Sequence, residues 1–309
     1  MGSYTKSVRM PVRYLVLDIY FKFKFKISLT LKPRKLQSRI SSYPYLCWDT
    51  YYHLSTVRVT SKGDLVDLHL NLQNHDLNSV YLITELIDSF EAVLKTSKFR
   101  IKKLIIGESD DHNHVSRLIS LLTKVDEIYA NHLIGLHPRI RALPVGIERQ
   151  VYRSGGQIND FRKKLYNDPS KRNIQILVAW NNATNMNRKR HLEKFESSKK
   201  TFIIRNRINA STFHSMLRKT LFVPCPVGNG LDTHRVWEAI YLGAVPVILE
   251  SEFCGDTTWP VIVIKNWSEL LEKSKEELDL LFTKHSLNQQ QSIDFGVRVL
   301  SNVFGKSNE

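Results

Sequence analysis

The sequence predicts an α/β protein with two sheets of parallel strands joined by crossover helices. Three observations predict it. Apolar runs without polar alternation, such as Ile101 to Ile106, Ile174 to Trp180 and Val245 to Leu249, read as strands buried on both faces. Segments with apolar residues at helical spacing stand between them. Strand and helix alternate along the chain, the order that crossover connections require. With 309 residues, 42% of them hydrophobic and 24% charged, the chain can fill two ordinary α/β domains without disulfides or metals.

Residues 1–40 read as a basic N-terminal extension punctuated by Pro11 and Pro33. Within it FKFKFK, Phe21 to Lys26, predicts a strand with one apolar and one basic face. Leu54 to Val59 and Asp64 to Leu70 alternate well enough to predict a hairpin or meander turned at Lys62-Gly63. Val80 to Leu94 carries Leu82, Leu86, Phe90, Val93 and Leu94 at helical spacing. The strand Ile101 to Ile106 ends in Gly107-Glu108-Ser109-Asp110-Asp111-His112, and a helix over Val115 to Leu122 follows. Strands at Asp126 to Ala130 and Ile140 to Val145 complete a first domain, 41–155, the latter leading into Gly146-Ile147-Glu148. The charged stretch Arg153 to Arg172, with one short helix, connects it to a second domain, 156–309. There, strands at Ile174 to Trp180 and Phe202 to Ile204 precede a helix over Ser211 to Leu217, capped by Asn209 or Ser211. Towards the end come a strand at Val261 to Ile264 and helices over Trp267 to Phe282 and Gln289 to Phe304.

The most informative stretch is Leu221 to Leu249, LFVPCPVGNGLDTHRVWEAIYLGAVPVIL. It reads as strand, glycine loop, helix and strand, with Gly228 and Gly230 turning the loop tightly and Asp232 as helix N-cap. Val236, Ala239, Ile240 and Gly243 form the core-facing stripe, and Gly243 ends the helix. Arg235 and Glu238, three apart, share another face, and His234 lies one turn before Glu238. These groups sit at the carboxyl end of a strand, where open α/β sheets bind ligands. The amides of Asn229 and Gly230 suit phosphate, the Arg235 guanidinium a diphosphate, and the Glu238 carboxylate two ribose hydroxyls. Together they are equipment for a sugar nucleotide.

The run Cys225 to Leu249 resembles the nucleotide-sugar motif of exostosin-like glycosyltransferases through Pro226, Gly228, Arg235, Glu238, Ala239, Gly243, Pro246 and Val247. A related Gly-Ala-Val-Pro-Val segment in fucosyltransferases keeps a GDP-sugar enzyme as a sibling reading. The resemblance implies the GT-B architecture, two Rossmann-like parallel-sheet domains facing a cleft, with acceptor bound by the first and donor by the second. It implies a transferase that moves a hexose or pentose from a UDP- or GDP-type sugar to a carbohydrate or glycoconjugate acceptor. In retaining enzymes of the wider group a second acid stands eight positions before the glutamate that matches Glu238. Here that position is Gly230, which favours inversion, or a phosphate-led leaving-group strategy resting on Arg235 and Arg188. An acidic residue also follows the loop glycine more closely in the exostosins than Asp232 does here, so Asp232 and His234 are assigned to positioning or to the sugar.

The similarity of Asn181 to Arg188 to the loop that opens the exostosin donor domain assigns Thr184 and Arg188 to the diphosphate; a solvated basic loop is the ordinary alternative. Inverting transfer needs a base for the acceptor hydroxyl. Asp110 is the first candidate, Glu148 the second and His112 the third, with Arg235 stabilising the departing diphosphate. No strict Asp-x-Asp occurs, so neither a metal nor a cofactor beyond the donor is expected.

A net charge of +15 favours anionic partners: nucleotide phosphates, nucleic acid, an acidic polymer or a membrane face. A non-enzymatic basic binding protein for nucleic acid or acidic polysaccharide is the second class, supported by Tyr43, Tyr45, Trp48, Tyr51 and Tyr52. No nucleic-acid-binding signature accompanies these aromatics, so nucleic acid is not the expected partner. Cys47, Cys225 and Cys254 are few and far apart, which suits a reducing compartment. No apolar run reaches about 18 residues. The expected location is cytoplasmic; the basic face of FKFKFK suits either a peripheral membrane contact or an aggregation-resistant edge strand.

Overall fold

The computed structural model describes residues 42–71, 76–149 and 158–305. The N-terminal extension, with the strand expected at FKFKFK, lies outside them. In chain order the first lobe contains α1 (Trp48–Leu54), β1 (Val57–Val59), α2 (Lys62–Asn71), β2 (Leu77–Ile83), α3 (Ile87–Thr96) and β3 (Ile101–Gly107). It continues with β4 (Asn113–His114), α4 (Val115–Leu118), β5 (Val125–Ala130), β6 (Leu133–Ile134) and β7 (Ile140–Ala142). Its main sheet has the order β1-β2-β3-β5-β7, all parallel. The central strands are buried on both faces, Val80, Tyr81, Leu82, Leu104, Ile105 and Ile106 all being inaccessible, as crossover helices on both sides dictate.

The second lobe begins at α5 (Ile158–Phe161) and contains β8 (Ile174–Val178), α6 (Asn187–Glu196), β9 (Thr201–Ile203), α7 (Ala210–Leu217) and β10 (Thr220–Pro224). Then come α8 (His234–Tyr241), β11 (Val245–Leu249), β12 (Ile262–Ile264), α9 (Ser268–Leu271), α10 (Lys275–His285) and α11 (Gln289–Phe304). This sheet is also parallel, in the order β12-β11-β10-β8-β9. The order reverses between β8 and β10, and at such a switch point the adjoining loops diverge and leave a crevice. Two Rossmann-like sheets facing a cleft is the GT-B arrangement. The described residues fall in one compact unit. One core cluster joins Tyr81, Ile105 and Tyr129 of the first sheet to Leu177 and Val223 of the second and to Trp237 and Tyr241 of α8.

Several local expectations are corrected. Asp64 to Leu70 belongs to α2, not to a hairpin, and β1 pairs in parallel with β2 instead. Ser61 accepts from the Asp64 amide while Asp64 accepts from the Thr60 amide. Leu65 and Leu68, three apart, are the buried pair. The first four residues of Val80 to Leu94 belong to strand β2, and α3 starts only at Ile87, because the apolar run Val80 to Ile83 fills the sheet centre. Trp267 to Phe282 is broken into α9 and α10 by a capping box at Ser274 and Glu277. Helix α6 arises where only a basic loop was read. Tyr45, Trp48 and Tyr51 are core residues. Among the described residues no helix is long and apolar enough to cross a membrane.

Candidate functional site

A cavity of about 530 Å³ opens outside the carboxyl ends of β8 and β10, between the two lobes. That size matches small-ligand sites in general. Asp110, Glu148, Thr184, Arg188, Asn229, Gly230, Asp232, His234, Arg235 and Glu238 all line it; His112 does not.

The second-lobe wall is built by the loop from Cys225 to Thr233 and the first turns of α8. Thr233, not Asp232, is the N-cap residue of α8, and no side chain caps the helix. Arg188, only 4% exposed, ties this loop to the one after β8. Its Nε donates to the Val227 carbonyl (2.8 Å) and Nη2 to that of Pro226 (3.0 Å). Nη1 donates to Thr184 Oγ1 (2.6 Å) and to the Asn181 carbonyl (3.3 Å). Thr184 and most of the Arg188 donors are thus spent inside the protein, and Arg188 gives the cavity chiefly its charge. Burial, then the neighbouring Arg235, lowers its pKa to about 10, so it remains a cation at neutral pH.

Arg235 differs. Its Nε is buried without a partner, and among the described residues no group accepts a hydrogen bond or forms an ion pair with its guanidinium. Burial pushes its pKa down, opposed by Cys225 and Glu238. Glu238, 7% exposed, sits on the same helix with His214 Nε2 at 3.6 Å from its Oε1.

The first-lobe wall comes from loops after β3, β5 and β7. The carbonyl of Gly146 can only accept, so His234 Nδ1, at 2.8 Å, carries a proton. The other ring nitrogen, Nε2, then faces Glu148 Oε1 at 3.5 Å. Burial raises the Glu148 pKa, with His234 opposing. Asp110 lies exposed at the rim, accepting from Asn229 Nδ2 at 3.1 Å. Asp232 is buried and spans both lobes: its Oδ2 accepts from the Val145 amide (2.9 Å) and from Trp237 Nε1 (2.8 Å). Burial raises its pKa to about 6.

Sequence reasoning missed His132, Glu108 and Arg149, which also line the cavity. His132 has a left-handed backbone (φ 46°) that turns its ring inward, and Nδ1 accepts from the Asp232 amide at 3.1 Å. Burial lowers its pKa to about 4, which keeps it neutral. Glu108 (φ 68°) accepts from Tyr81 and pairs with Arg149, which also holds Asp49. The available signal for His132 was its position, two residues beyond a buried strand, the same placement that singled out Asp110. Among the described residues no group of three or more His, Cys, Asp or Glu side chains is placed to hold a metal ion.

No family model and no curated protein matches the chain. Among solved structures the chain is similar to an alpha-glucosyltransferase in complex with UDP-glucose and DNA containing an abasic site, at 10% identity over 80% of each chain with a TM-score of 0.33.

Proposed function

We propose that this protein is a glycosyltransferase that moves a sugar from a nucleoside-diphosphate sugar to a carbohydrate hydroxyl, in polysaccharide or glycoconjugate synthesis. The observation that carries the reading is the unpaired Arg235 guanidinium, set beside the Arg188 cation in a cavity at a topological switch point. A guanidinium whose Nε is buried without a partner is costly unless an anion arrives, and a diphosphate supplies one with bidentate geometry. Glu238, one turn on, accepts from the ribose hydroxyls, and the Asn229 and Gly230 amides border the phosphate oxygens.

Glu148 receives the acceptor proton in this reading. It is recessed beside His234, whereas Asp110 is exposed and already engaged with Asn229. The acceptor oxygen attacks the anomeric carbon, the bond from that carbon to the diphosphate oxygen breaks, and the hydroxyl proton passes to Glu148. Arg235 and Arg188 stabilise the charge left on the diphosphate. Gly230, where a retaining enzyme would carry an acid, supports inversion. Within this class the run from Pro226 to Val247 supports an exostosin-like enzyme over a fucosyltransferase-like one.

Calorimetric titration with UDP and with GDP tests the proposal. Wild type is expected to bind at least one of them, and Arg235→Ala to weaken that binding by about 2 kcal/mol, roughly thirtyfold. Binding of neither nucleotide by wild type, or unchanged affinity in the variant, would overturn it. Hydrolysis of UDP-, GDP- and CMP-sugars then names the donor.

A further inference from the structure

Behind Glu238 lies a buried chain of ionisable groups that the proposed chemistry does not use. His214 on α7 is fully inaccessible and Asp160 on α5 is 4% exposed. Asp160 Oδ2 lies 3.1 Å from His214 Nδ1 and accepts from Ser211 Oγ at 2.9 Å; Oδ1 accepts from Lys163 Nζ at 2.7 Å. On its far edge, His214 Nε2 is 3.6 Å from Glu238 Oε1 and has no closer partner among the described residues. Nor does any other described side chain or amide donate to the Glu238 carboxylate. A well-packed apolar side chain would fill the place of His214 more cheaply than an imidazole between two carboxylates. The chain runs in one direction, from a carboxylate satisfied inside the protein to one that opens on the cavity.

We propose that His214 is the positioning residue that aims Glu238 at the ribose of the bound nucleotide, and that Asp160 fixes which edge of the imidazole faces Glu238. This rests on the nucleotide reading above and deepens it, assigning ribose recognition to three residues on three elements. Asp160 holds the Nδ1 edge, so Nε2 is the atom presented to Glu238, the logic by which outer groups orient a histidine. Burial would push the His214 pKa down, but the Glu238 and Asp160 carboxylates outweigh it and raise it. The ring thus meets a carboxylate at each edge, Asp160 at 3.1 Å from Nδ1 and Glu238 at 3.6 Å from Nε2. Hydrogen bonds from Lys163, His214 and Ser211 outweigh burial at Asp160 and hold its carboxyl at about 2.

The test uses two near-isosteric variants that each keep one edge of the imidazole. In His214→Asn the amide nitrogen mimics Nδ1, keeping the bond to Asp160 and abandoning Glu238. In His214→Gln the amide nitrogen mimics Nε2 and reaches Glu238. Whichever of UDP and GDP wild type prefers is expected to bind about tenfold more weakly to His214→Asn, a loss of about 1.4 kcal/mol, with at least a threefold recovery in His214→Gln. Inorganic pyrophosphate, which needs Arg235 but no ribose, should bind both variants within about twofold of wild type. Nucleotide affinity unchanged in His214→Asn, equal loss in the two variants, or a matching loss for pyrophosphate would overturn the proposal. Melting curves verify folding. Should His214→Asn fail to fold, Asp160→Asn takes its place, with at least a threefold loss expected for the nucleotide alone and no loss overturning the assignment. Wild type that binds pyrophosphate but no nucleotide would bring down the nucleotide reading itself, before any variant is made.

Discussion

Asp232 shows how one side chain can be legible as a type and misread in its role. Its oxygen does not cap α8; Oδ2 is drawn instead to Val145 of one lobe and Trp237 of the other, while Oδ1 is buried without a partner. Burial holds the carboxyl at about 6 against an ordinary value of 3.8. The folded state therefore binds this proton more tightly than the unfolded state. Stability from the group is full below 3.8 and is lost as pH rises through about 6, and an ionised carboxyl shifted this far costs about 3 kcal/mol. In Asp232→Asn the amide oxygen can still accept from Val145 and Trp237, but nothing ionises. Urea denaturation should show wild type losing about 2.4 kcal/mol relative to this variant between about pH 4 and about pH 7. Parallel profiles would show that Asp232 stays solvated.

At the scale of elements, the loop between β10 and α8 needs its glycines for closeness, not for turning. Neither Gly228 nor Gly230 has a positive φ, whereas Gly243, at φ 75°, does close α8 as expected. A Cβ on Gly230 would stand 2.3 Å from Cε1 of the His132 ring, and one on Gly228 2.9 Å from Arg188 Nη2. Gly230→Ala should therefore lower stability by about 1–3 kcal/mol, read as a fall in melting temperature, because the His132 ring is buried and bonded to Asp232. An unchanged melting temperature would mean that the loop yields freely. The same contrast explains which parts of the molecule could be read in advance. Strands such as Ile101–Gly107 and Val245–Leu249 were legible because burial on both faces leaves an unbroken apolar run. Helix α2 was not, since Leu65-Val66 and Leu68 fit either period and only packing selects one. In the site, most of the second-lobe wall lies in one contiguous stretch from Gly228 to Glu238, with Thr184 and Arg188 added from the loop after β8. The first-lobe wall is scattered over loops, and His132 reaches the cavity through a backbone conformation that its sequence does not announce.

At the scale of the whole molecule, the question is what keeps the two walls in register. Contacts around the cavity are few and polar, so the larger contribution must come from the core behind it. Helix α11, started by a capping box at Asn288 and Gln291, supplies much of it. Its Phe295 ring stacks on Trp237 (centroids 6.1 Å apart, planes 17° apart), and Leu300 and Val303 are buried in the cluster shared by both sheets. Near its end the Asn302 carbonyl accepts from Lys103 Nζ and Tyr129 Oη of the first sheet. Trp237 is also the residue that donates to Asp232, so the packing that joins the lobes reaches the cavity wall through one indole. Phe295→Ala removes the ring on which Trp237 rests and should cost about 3–5 kcal/mol. With one core serving both lobes, the loss is expected in a single cooperative unfolding transition at lower temperature, with nucleotide affinity falling in the still-folded variant as Trp237 and Asp232 relax. Two separated calorimetric transitions would show instead that each lobe keeps its own stability and that α11 only decorates the junction.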